Sequence, residues 1–70
     1  MTKKEIQQMV LNRIAYIHSG RDSVFYIIIR DRMLEMSDRV WNDIIKKYTN
    51  GDEVDLPRVI NSIRHRQYLK

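Results

Sequence analysis

Apolar residues recur at helical spacing in three stretches of this chain and form one unbroken run in a fourth. Ile6, Met9, Val10, Ile14 and Ile17 return every three or four positions, the pattern of one buried helix face. Thr2-Lys3-Lys4-Glu5 precedes them with the spacing of a capping box, in which each end of the motif satisfies the other's backbone amide. Gly20, after His18-Ser19, supplies a stop. A second stripe is Val40, Trp41, Ile44, Ile45 and Tyr48, with Ser37 as N-cap and Asp38 in the first turn, where the helix dipole favours an anion. Lys46 and Lys47 fall in its last turn, and Asn50-Gly51 ends it. Asp52-Glu53-Val54 reads as a connector. Asp55 then caps a last helix that carries Pro57 in its first turn. Leu56, Val59, Ile60 and Ile63 point inward along it; Arg58, Asn61, Ser62 and His65 face away, flanked by Arg64 and Arg66.

The run Val24-Phe25-Tyr26-Ile27-Ile28-Ile29 is the ambiguous element, because a continuous apolar stretch has no period to read. Its composition is β-like, yet Asp22 and Ser23 are cap residues, and Met33, Leu34 and Met36 beyond Asp31 suit a short helix. A lone strand would lack a partner within the chain. The expectation is a buried, largely helical segment, extended over its first few residues, within an all-α fold: a small bundle of three to four short helices forming a single domain over residues 1–70. Trp41 is expected to anchor the core, with Met9, Met33 and Met36 filling gaps.

Size makes that core marginal, since a chain of this length buries only about 60% of its unfolded surface. There is no cysteine to add a disulfide or a thiolate zinc site. Tight helix packing or self-association must compensate. The absence of cysteine fits a reducing, cytoplasmic setting. No apolar leader segment opens the chain, so no secretory signal is expected, and the run from Val24 to Ile29 is far too short to span a membrane.

Charge changes the picture more than composition does. Residues 1–21 carry a net +3, residues 22–55 a net −3, and residues 56–70 a net +4. If the two ends pack side by side, the fold gains one positive face, the footprint of a polyanion binder. Lys3, Lys4 and Arg13 from the first helix and Arg58, Arg64, Arg66 and Lys70 from the last are the candidate nucleic-acid contacts. Each would neutralise a backbone phosphate, Arg with a bidentate fork. Tyr68 is placed either to stack on a base or to cover the end of the bundle.

Catalytic chemistry has little support. The sequence holds no Cys nucleophile, no Gly-rich phosphate loop and no paired-His metal spacing. His18 and His65 stand alone in polar settings, and Asp52, Glu53 and Asp55 lack the ligand spacing of a calcium loop. The expectation is therefore no enzyme, no cofactor, no metal and no small-molecule substrate.

From Tyr26 to Met36 the chain resembles the helicase-and-RNase-D C-terminal (HRDC) domain. An aromatic-apolar run enters a helix through an Asp-x-x-Leu step, here Asp31 and Leu34, after a helix bearing Leu11, Arg13 and Ala15. The resemblance implies a compact helical accessory module that helps a helicase or nuclease grip DNA in replication, recombination or repair; the residues themselves do not separate DNA from RNA, and DNA is the favoured partner. Two other functions fit the same residues. One is a protein-interaction module, such as a phage or plasmid inhibitor of a host enzyme, with its contact face in the acidic middle (Asp31, Glu35, Asp38, Asp43). The other is a dimeric ribbon-helix-helix repressor whose residues 24–29 pair as strands in the major groove.

Overall fold

The structure is a computed structural model that describes residues 2–18, 20 and 22–65. Its elements in chain order are helices α1 (Lys3–Ile17), α2 (Val24–Glu35) and α3 (Asp38–Tyr48), strands β1 (Thr49–Asn50) and β2 (Glu53–Val54), and helix α4 (Leu56–His65). The all-α expectation holds, with four helices.

Each helix starts at a side-chain oxygen that takes up an amide otherwise lacking a partner. Thr2 Oγ1 accepts from the Glu5 amide at 3.2 Å, and Glu5 Oε1 accepts from the Thr2 amide at 2.8 Å, completing the capping box. Ser23 Oγ accepts from Tyr26 N at 3.1 Å, and Ser37 Oγ from Val40 N at 3.3 Å. Asp55 Oδ1 accepts from Arg58 N at 3.3 Å. At the far end of α1, the Gly20 amide donates to the Ala15 carbonyl at 2.8 Å; Gly20 has a φ of 142°.

The Ser23 cap settles the ambiguous run. The backbone is helical from Val24 onward, so neither an extended start nor a separate short helix at Asp31 exists, and no strand is present at 24–29. The ribbon-helix-helix reading needs a strand there, and the helix does not supply it. The expected connector after α3 is also corrected. Thr49 pairs with Val54 and Asn50 with Glu53, an antiparallel hairpin closed by Gly51-Asp52. Gly51 takes a φ of 65°, which a two-residue turn favours and side-chain-bearing residues resist. The Asp55 amide donates to the Tyr48 carbonyl at 2.9 Å, so the hairpin delivers Asp55 directly to its capping position.

The core gathers Ile6, Val10 and Ile14 from α1, Tyr26, Ile29 and Met33 from α2, and Met36 from the link to α3. Trp41 and Ile44 of α3 and Val59, Ile60 and Ile63 of α4 complete it, with Trp41 only 1% exposed. α4 packs against each of the other three helices. Met33 and Met36 fill the core as expected, whereas Met9 is only partly buried and Ile17 is exposed. The molecule measures 32 × 29 × 18 Å. Eighteen ångströms is about two helix diameters, so a single layer of side chains separates the helices.

Candidate interaction surface

The candidate nucleic-acid contacts come from neighbouring helices, since α1 and α4 lie side by side. Their charges do not merge among the described residues. Lys3 Nζ lies 2.5 Å from Asp38 Oδ1, which ties the start of α1 to the start of α3. Its ammonium, by hydrogen bond and by charge, holds the Asp38 carboxyl below the ordinary carboxylate range. Arg58 Nε lies 3.4 Å from Asp55 Oδ2. Lys4 and Arg13 are exposed, but nine helical residues set them about 180° apart around α1. Arg58 and Arg64 diverge by about 120° around α4.

Arg64 turns toward α2, its guanidinium 5.5 Å from the Phe25 ring centroid. Phe25 meets His18 edge-on at 4.8 Å, so one short stack joins the ends of α1 and α4 to the start of α2. Arg32 donates to the Ile63 carbonyl at 3.4 Å and to the Arg64 carbonyl, placing a cation at the negative end of the α4 dipole. The described residues hold ten Lys and Arg against nine Asp and Glu. Arg66 and Lys70, two of the candidate contacts, lie outside the described residues, as do Arg21 and Tyr68.

A cleft of about 370 Å³ opens between the hairpin and α4, lined by Lys47, Tyr48, Asn50, Glu53, Asp55 and Arg58 among others. A hydrogen bond from Ser62 and the nearby charges of Lys47 and Arg58 lower the Tyr48 phenol below its ordinary value, against an opposing push from burial. Two cations face two carboxylates here, so the cleft has no charge preference of its own.

The most continuous exposed feature is on α2, where sequence reasoning expected burial. Tyr26, Ile29 and Met33 do turn inward. Val24 and Leu34 are each 73% exposed, and Ile27 and Ile28 are 38% and 39% exposed. At positions i, i+3, i+4 and i+10 these four share the face opposite the core, together with Asp31 and Glu35. α2 is therefore apolar on two sides, whereas α1, α3 and α4 each carry one apolar stripe turned to the core, with Ile17 at the end of α1 the exception. The Asp31 carboxylate in the middle of this outer face accepts from Arg30 Nη2 at 3.2 Å and from Arg30 Nε at 3.3 Å.

No family model, curated protein or solved structure matches the chain. Of the residues that carry the HRDC resemblance, Tyr26, Ile29 and Met33 are core, while Asp31 and Leu34 lie on the outer face of α2.

Proposed function

We propose that this chain is a non-catalytic protein-interaction module that docks through the outer face of α2. The observation that carries the reading is the exposed stripe of Val24, Ile27, Ile28 and Leu34 on a helix whose opposite side is already core. A helix apolar all round is ordinarily covered all round. Leaving such a face in water has no benefit to a monomer and costs solubility. Asp31 and Glu35 on the same face draw a cationic group from the partner surface, and this is the acidic middle of the chain seen in the sequence.

The test uses dilute protein and the neutral, polarity-sensitive dye Nile red. The wild type should bind the dye with a blue-shifted emission. The Val24→Lys/Leu34→Lys double variant should lose that signal while its circular dichroism and unfolding midpoint stay within error. Dye binding that survives the double substitution overturns the reading.

A nucleic-acid function keeps one supporting observation, the side-by-side packing of α1 and α4 with Arg66 and Lys70 following Arg64 in the chain. Its cations are dispersed or paired among the described residues, so it is the second reading.

A further inference from the structure

We infer that the surface covering the outer face of α2 is a second copy of this chain, its α2 running antiparallel about a twofold axis near Arg30 and Asp31. The inference rests on the reading of this face as the docking surface and names its partner.

Self-complementarity is the argument. In a twofold interface one patch meets itself, so each contact occurs twice with the residues exchanged. Arg30 and Asp31 lie close to the midpoint of the stripe that runs from Val24 to Leu34. An axis there sets Leu34 of one copy opposite Ile27 of the other, at both ends, with Ile28 between and Val24 toward the rim. The same axis brings the two Arg30–Asp31 pairs together at the centre. Each pair is already joined at 3.2 Å within its own helix. The carboxylate therefore enters the interface compensated, and the two guanidinium groups and two carboxylates can exchange partners across the axis. Without that pairing, Asp31 in the middle of an apolar stripe would oppose any docking, because an uncompensated charge is costly to remove from water. Glu35 remains at the rim, beyond Leu34.

Thickness points the same way. At 18 Å the monomer has one layer of core, and a second copy against α2 would give that helix packing on both sides. A 12-residue helix is about 18 Å long, so the contact is short. It falls in the class of small interfaces below about 1,200 Å² in total, which associate weakly and reversibly. A reversible monomer–dimer equilibrium is expected.

Sedimentation across a wide concentration range tests this, with native mass spectrometry to identify mixed species. The wild type should pass from monomer to dimer, and Leu34→Lys should weaken the dimer by about tenfold or more. Leu34 is exposed, so this variant keeps its fold. Arg30→Asp gathers four carboxylates at the axis and Asp31→Arg four guanidinium groups, so each should be monomeric alone. Mixed in equal amounts they should restore a dimer containing one of each. A wild type that stays monomeric while Nile red still reports the face overturns the second-copy assignment alone. A dimer indifferent to Leu34→Lys overturns it too, because another surface then mediates association. Failure of the charge-reversed pair to recombine overturns the axis placement.

Discussion

Asp38 shows how a single side chain links parts of this molecule that are distant in sequence. It occupies the first turn of α3, where an anion suits the dipole, and it also receives the Lys3 ammonium from the start of α1. Its carboxyl titrates below the ordinary range because of that hydrogen bond and charge. A depressed folded-state pKa contributes stability that is present above the unfolded pKa and is lost as pH falls through the folded value, here in the acid range below about pH 4. Both partners are exposed, so the effect is screened by salt. Replacing Lys3 with Met should return the Asp38 pKa toward its usual value in an NMR titration of the side chain; an unchanged titration would count against the contact. The caps Thr2, Ser23, Ser37 and Asp55 were legible in the sequence because each acts on an amide three residues away. The Lys3–Asp38 pair and the reach of Arg32 to the end of α4 were not, because both depend on how helices dock, and no local pattern encodes that.

At the scale of elements, α1, α3 and α4 each declare one face through their period, and the structure turns that stripe inward except at Ile17, which the end of α1 leaves exposed. α2 declares none. Its run of six apolar residues is compatible with strand or helix, and the Ser23 cap, a single residue, tips it to helix. Burial on one side only is invisible to a pattern that is apolar on both. The hairpin between α3 and α4 was missed for a different reason. Strands of two residues are too short to show alternation, and the only signal was the turn sequence Asn50-Gly51-Asp52. Gly51 is the test of that element. A side chain there would meet nothing within 4 Å, so the penalty is confined to the backbone at φ 65°. Gly51→Ala should destabilise the protein by about 1 kcal/mol, and Gly51→Asn by less, as read from urea unfolding midpoints. Equal stability for the alanine variant would mean that the turn does not hold this conformation.

For the whole molecule, the segregation of charge along the chain does not become a segregation of charge in space over the described residues. Lys3 and Arg58 are drawn to Asp38 and Asp55, and helical geometry sends Lys4 and Arg13 to opposite flanks. The consequence is measurable. Reversing Arg58, Arg64 and Arg66 to Glu should leave DNA retention in a gel-shift titration little changed if α2 is the working surface. Abolished retention with helicity intact, together with a steep loss of affinity on adding salt, would restore the polyanion reading. The order of assembly follows from the place of α4. It touches every other helix, and Val59, Ile60 and Ile63 close the core between them. Yet it is the last of the four helices to leave the ribosome. While it is still in the exit tunnel, α3 lacks the helix it packs on most, so the nascent chain stays open and the cooperative transition waits until α4 has emerged into solution.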